Sequence, residues 1–419
     1  MTRYEENLQR WCGLIGGSAP LVQAFVLVLL TVFSTGRAVA DQDDVLNVIT
    51  GGSVLYDSNV FRLPGTLSPQ ATLGRSTKSD TLTTAYIGLR IDKPYAQQRF
   101  QFDVTDTIYR YDTFSHLNFN ALDYRGAWLW HLTPQLSGTL SAERTQTLVP
   151  FEDYRLLSQQ RNVRDNKNQT LNLDWWAFGG WHLLAGLANI DQKSEASILA
   201  EADFSLIDRQ LGVRYDSAPS NSIAFVQHSR IGEYANRVPD PITFNDSAFR
   251  ENESEFRLKW KIAGHSSLDG RLGWLNRSHE HFPSRDFSGM VGEIGYGWIP
   301  TGKLRLYVVA KRNIDAIVDP FSSYRVNNSL SITPAWRVTE KTTLSLRLDR
   351  TDSDFRGAVT PPPGALRSDI LRSAKLMADW KPTRTISLSA GVQRAERSSN
   401  VPDAEFDTSI VYIRGGLKF

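Results

Sequence analysis

The stretch Glu255-Phe256-Arg257-Leu258-Lys259-Trp260-Lys261-Ile262 alternates strictly between charged and apolar side chains. A helix would mix the two sets within one turn, so this is a β-strand with one polar and one apolar face. Thr343 to Arg350 repeats the pattern, with Leu344, Leu346 and Leu348 on one side and Ser345, Arg347 and Asp349 on the other. In a later stretch Ile386, Leu388, Ala390 and Val392 oppose Ser387, Ser389 and Gln393. Asp106 breaks the rule by falling on the apolar face of Phe100, Phe102 and Val104, which predicts a bulge or a strand end there.

Turn-forming pairs punctuate these strands at Lys93-Pro94, Thr133-Pro134, Gly179-Gly180, Ala218-Pro219, Ala263-Gly264, Thr301-Gly302, Thr339-Glu340 and Pro382-Thr383. Their spacing, roughly 40 residues, fits two long strands and a longer opposite loop. Adding a first strand near Val45 to Asp57 and a last near Glu405 to Phe419 predicts about eighteen strands, with sixteen as the alternative count. An even count puts both chain ends on the short-turn side, which in bacterial barrels faces the periplasm. The longer connections, Ser58 to Ser79, Pro150 to Asn166 and Ala235 to Ala248, then face outside.

Tryptophan gives an independent check. Trp128, Trp130, Trp175, Trp176, Trp181, Trp260, Trp298, Trp336 and Trp380 all lie close to a short turn, whereas Trp274 does not. An amphipathic indole prefers the headgroup level of a bilayer, so such a girdle is expected of a membrane barrel. A β-propeller has a similar period but needs four short strands in each repeat. The mean hydropathy of -0.32 agrees with a barrel, because only every second strand residue meets lipid. The expected fold is therefore an all-β, antiparallel transmembrane β-barrel of the outer membrane of a Gram-negative bacterium, embedded in its lipid.

Ahead of the barrel, Leu21 to Phe33 is an apolar run interrupted by Gln23, too short to span a membrane as a helix. Arg3 and Arg10 precede it, and Ala38-Val39-Ala40 follows as a small-x-small site. Residues 1–40 are thus read as a cleaved signal peptide, with Ala38 and Ala40 at the site and Asp41 as the new N-terminus. Residues 41–419 are read as one barrel domain. The single cysteine, Cys12, would leave with the signal, so thiolate metal sites and cysteine nucleophiles are excluded from the rest. The 47 basic and 45 acidic residues nearly cancel, which gives no argument for a nucleic-acid partner. Phe419 is terminal with Leu417, Ile413 and Val411 on its face, resembling the C-terminal signal read by the barrel-assembly machinery.

No nucleophile elbow, zinc-protease helix motif or phosphate-binding loop occurs, so neither an enzyme nor a cofactor is expected. His279-Glu280-His281 is the one histidine cluster and reads as a solvated loop tip. The polar faces carry aromatic residues beside fixed charges, a combination that holds sugar rings by stacking and hydrogen bonding. Candidate lumen contacts are Tyr109, Tyr111, Trp176, Arg257, Arg305, Tyr307, Arg347, Tyr412 and Arg414. Plain lumen filling by paired charges is the competing account. Ser58 to Ser79, the longest connection, is the candidate for an inward-folded constriction, against a simple surface loop.

The segment Tyr56-Asp57-Ser58-Asn59-Val60-Phe61-Arg62-Leu63-Pro64 resembles the start of EpsL-type outer-membrane proteins of exosortase and exopolysaccharide gene clusters, and of related β-barrel porins. Asp57, Asn59, Phe61 and Arg62 carry that likeness, although Asp57, Ser58 and Asn59 are also ordinary turn formers. The resemblance implies passage or assembly of an extracellular polysaccharide, with export components as partners. A passive export conduit is therefore the leading expectation. An uptake or general-diffusion porin for oligosaccharides or other small solutes is the alternative, ahead of a catalytic or structural barrel.

Overall fold

The computed structural model describes residues 45–152, 159–317, 321–358 and 364–419. The proposed signal peptide and its cleavage site at Ala38, Ala40 and Asp41 lie outside these residues. Eighteen strands form one closed antiparallel sheet in which each strand pairs with its sequence neighbours and β1 (Leu46–Asp57) also pairs with β18 (Phe406–Lys418). The seam runs from Ile49 opposite Lys418 to Asp57 opposite Ile410. Phe419 completes it, because its backbone N–H and C=O bond reciprocally with Val48 at 2.8 and 2.9 Å. Closure leaves no sheet edge and satisfies every ladder within the wall, as a bilayer requires.

Seven of the eight short turns stand where the sequence puts them, or one residue away. The exception is Lys93-Pro94, which stays in β2 (Asp80–Tyr95) opposite Phe100 and Arg99 of β3 (Gln98–Tyr111). The chain reverses instead at Ala96 and Gln97, with Ala96 at a φ of 52°. Pro94 is tolerated because it sits near a strand end, where a missing N–H costs little. The bulge expected at Asp106 is absent: β3 is unbroken, and Asp106 lies between Ile87 and Leu122 in continuous register. It stands on the outer face among the exposed Ile87, Leu122 and Ile108. Irregularities occur instead beside short turns, at Lys261/Ala263, Trp176/Phe178 and Asp216/Ala218.

Register fixes which face looks inward. Loop residues Arg62 and Glu152 share a cavity with Val309, Ser331, Asp349, Gln393 and Thr408 from different strands, and only the barrel interior can bring these together. The opposite face exposes apolar side chains such as Leu346, Leu348, Leu376, Val392 and Ile413. Trp128, Trp175, Trp181, Trp260, Trp298, Trp336 and Trp380 are exposed on that outer face at the short-turn end, which is the expected girdle. Ile413 and Val411 of the terminal strand also face out, while Leu417 is buried.

This placement sets a facing test on β15 (Thr342–Ala358). Leu346 pairs outward with Leu376, so Leu346→Arg is expected to cost roughly 2 to 4 kcal/mol in an unfolding titration from lipid vesicles. Ser345, on the inward side, is itself buried and makes a poor control. Ser331 of β14 (Ser322–Arg337) lines open lumen, and Ser331→Arg should cost much less. Equal losses would mean that the facing is wrong.

Candidate functional site

The lumen is shaped first by the β1–β2 connection, which folds inward. Phe61 and Leu63 are almost fully buried in an apolar cluster with Phe114, Leu117 and Phe151 from the next two long loops. Phe61 meets Phe114 edge-on at 4.9 Å and Phe151 at 4.4 Å. Polar bonds tie this knot to the wall. Asp57 accepts from the Asn59 N–H at 2.8 Å, from Arg62 at 2.7 Å and from the Thr408 hydroxyl of β18 at 2.7 Å. Asn59 is wholly buried, donates to the carbonyls of Leu63 and Asp407, and accepts from the Leu63 N–H. Arg62 takes a left-handed backbone, φ 55°, which turns its side chain toward the cavity.

Glu152, just after β5 (Leu136–Leu148), also reaches inward. Arg397 of β17 (Ile386–Ser399) donates to the Glu152 carbonyl at 2.5 Å, from a strand well around the barrel. Beneath these loops the passage is lined by Arg62, Glu293, Lys311, Arg347, Asp349 and Gln393. Arg347 is bound to Asp349 at 2.9 Å, so this rim is charged but largely paired.

A second feature covers the wall formed by β8 (Phe204–Ala218), β9 (Asn221–Glu233), β10 (Ala248–Ala263) and β11 (Ser266–His279). His228 is held by Asp208 at 3.0 Å, Arg230 by Glu253 at 2.8 Å, Arg271 by Glu255 at 2.7 Å and Arg277 by Glu251 at 2.8 Å. Arg257 bonds Glu255 and donates to the His228 ring at 3.3 Å. Glu253 and Glu255 are only 4% and 2% exposed, so the network lies packed against the wall. Sequence reading picked out Arg257 but missed the rest. The signal was present in Glu251, Glu253 and Glu255, which precede Arg257 on one face of β10 (Ala248–Ala263).

Toward the short turns the lumen holds cations of a different kind. Lys259, Lys261 and Arg305 line a cavity with Asp269 and Tyr307 near the periplasmic mouth, and none of the three has an ion pair among the described residues. Tyr307 lies over Gly295, and Tyr412 over Gly391, where a Cβ would stand 2.7 Å from the ring. Glycine on the neighbouring strand lets each ring lie against the wall. Lys375 sits 4.9 Å above the Tyr412 ring, and Arg414 follows on the same face.

The remaining lumen candidates are placed differently. Tyr109 is on the inner face but stacks at 4.3 Å on Phe119. Tyr111 packs under the loop cluster and is half-buried there. Trp176 stands at the periplasmic mouth, where its indole N–H donates to the Gly179 carbonyl at 2.6 Å and fixes the turn. Above the barrel, His279 and His281 bind separate carboxylates, Asp286 at 3.2 Å and Asp246 at 2.9 Å. Burial alone would raise the Asp246 carboxyl, but hydrogen bonds from the His281 ring and from backbone N–H groups hold it below the ordinary aspartate value. The same bond holds His281 above the ordinary histidine value. This loop tie is therefore strongest between those two pKa values. It weakens as pH falls through the aspartate's or rises through the histidine's.

Residues 261–419 match the family described as "Putative beta-barrel porin 2". No curated protein matches the chain. Among solved structures, Pseudomonas aeruginosa OccK2 (OpdF) is similar at a TM-score of 0.52 and 11% identity, covering 89% of this chain and 98% of that one. The same protein in complex with glucuronate gives 0.51 at 10% identity over 89% and 98%. Pseudomonas aeruginosa OpdK with vanillate gives 0.50 at 10% identity over 89% and 99%. At such identities the likeness speaks for the fold alone, and it agrees with the closed strand order and the girdle. The chain is a porin-like β-barrel of the Gram-negative outer membrane.

Proposed function

We propose that this protein is a passive uptake channel for small polar solutes, with carboxylate-bearing monomers and short saccharides as the substrate class. The observation that carries this reading is the inward fold of the β1–β2 connection, which narrows a wide barrel to a charged passage. A narrow, charged rim suits small hydrated solutes better than a bulky polymer. Lys259, Lys261 and Arg305 below it, without ion pairs among the described residues, offer exit-side contacts for anions, and Tyr307 and Tyr412 offer flat apolar surface. The structurally similar OccK2 and OpdK were solved with glucuronate and vanillate, both carboxylates, which supports the same class.

The export reading drawn from the EpsL-type resemblance is the weaker one. Asp57, Asn59, Phe61 and Arg62 are occupied in tying the loop to the wall, so the motif has a full architectural explanation without a polysaccharide. On this account the chain is exported after cleavage behind Ala40, leaving Asp41 at the N-terminus, and inserted by the barrel-assembly machinery through the strand ending at Phe419.

Gene deletion separates the two directions of transport. The strain should grow slowly on limiting glucuronate or a short oligosaccharide, recover with a plasmid copy, and secrete its polysaccharide normally. Normal growth with polymer retained in the periplasm would restore the export conduit.

A further inference from the structure

The lipid-facing wall changes character in one sector of the barrel. On β16 (Ser368–Trp380) the outward run from Trp380 through Leu376 and Ala374 ends on Arg372. Likewise Leu346 and Leu348 of β15 lead to Arg350, and Val392 of β17 leads to Arg394. Pairing sets Arg350 opposite Arg372, and Arg394 opposite Ala374, so three guanidinium groups from adjacent strands meet on the outer surface. Arg350 and Arg372 repel across their pair, while Asp352 and Glu396, the next outward residues on β15 and β17, only partly offset the cluster because each lies to one side of it.

The three arginines line one outward concavity whose floor is Leu330, Ile332, Leu348 and Ala374, with Glu396 as the carboxylate beside them. Arg350 is held by Asp352 at 2.8 Å and Arg394 stands 3.6 Å from Asp407. Arg372 is exposed and makes no hydrogen bond or close ion pair among the described residues, although Glu396 stands opposite it on β17 and Asp352 feels its charge. At the same height on β10 and on β11 (Ser266–His279), counted from Trp260, the outward pair is Asn252 and Asn276, which is neutral.

Height identifies what these side chains meet. From the girdle at Trp380 to Arg372, a strand tilted by about 45° climbs roughly 19 Å, against an apolar band about 25 Å tall. The long arginine stems reach the remaining distance to the headgroups. The loops on that side are the long ones, so these headgroups belong to the outer leaflet. We propose that Arg350, Arg372 and Arg394 form a binding site for the phosphate groups of an outer-leaflet phosphoglycolipid of the lipid A type. Each guanidinium can offer a bidentate fork to a phosphate, and the apolar floor receives the first carbons of an acyl chain. The site is independent of what passes through the lumen.

The test uses native mass spectrometry of the full-length protein in neutral detergent, titrated with diphosphoryl lipid A, with its dephosphorylated form and with inorganic phosphate. Diphosphoryl lipid A should bind, and the variant Arg350→Gln/Arg372→Gln/Arg394→Gln should bind it about 100-fold more weakly while keeping its heat-modifiable gel mobility. If that variant does not fold, Arg372→Gln alone, which breaks no hydrogen bond or close ion pair, should still weaken binding about fivefold. Equal affinity of native protein and variant, or equal binding of the dephosphorylated lipid, would overturn the proposal. Displacement of the lipid by millimolar inorganic phosphate would instead assign the arginines to a free anion and overturn the lipid as occupant.

Discussion

Glu255→Ala is expected to destabilise the barrel by about 3 to 5 kcal/mol, the range for breaking a buried ion pair from one side. Glu255 is 2% exposed and accepts from Arg257 and, at 2.7 Å, from Arg271, while the His228 ring stands 3.9 Å away. Removing the carboxylate leaves these groups facing one another with no anion between them. Glu253 can still hold Arg271 at 3.2 Å, but it already serves Arg230. Glu255→Gln keeps the volume and one acceptor oxygen, and should lose clearly less. Urea unfolding from lipid vesicles, followed by tryptophan fluorescence, measures both. A loss below ~1 kcal/mol for Glu255→Ala would mean that the network is screened by lumen water and has little structural weight.

Excising the inward loop should have the largest effect on conduction. Asp57 and Asp80 are directly paired, so a short Gly-Ser linker between Ser58 and Ser79 can close the hairpin without disturbing β1 or β2. With Phe61, Arg62 and Leu63 gone, the passage opens toward the full lumen of an eighteen-stranded wall, and single-channel conductance should rise about twofold or more. Phe61→Ala is a milder variant, which empties the centre of the cluster formed with Phe114 and Phe151 and should make the current noisier rather than larger. Unchanged conductance after excision would show that the loop is not the constriction.

Strand number, facing and girdle were legible in the sequence because each rests on a local rule. Alternation on Glu255 to Ile262 fixes inside against outside, and turn chemistry fixes where the chain reverses. Lys93-Pro94 misled because proline marks the end of pairing as readily as a turn. Asp106 misled because the ladder carries a carboxylate on the outer face in unbroken register, so an off-pattern residue did not mark a bulge. The lumen was less legible. A lumen tyrosine reads the same whether it lies open on a glycine, as Tyr412 does, or under a loop, as Tyr111 does. Only long-range contacts separate these cases, and the Arg397 bond to Glu152 spans a distance that no local pattern encodes. The Asp57 to Arg62 segment was noticed for its resemblance, whereas its bonds show a structural task.

The central claim is an open, charged passage through the closed barrel, and the ionic current of the purified native protein in a planar bilayer tests it most directly. Discrete, ohmic current steps are expected in molar potassium chloride, with glucuronate added on one side reducing the open-channel current in a concentration-dependent way. A protein that inserts with heat-modifiable folding yet passes no current would contradict the channel account.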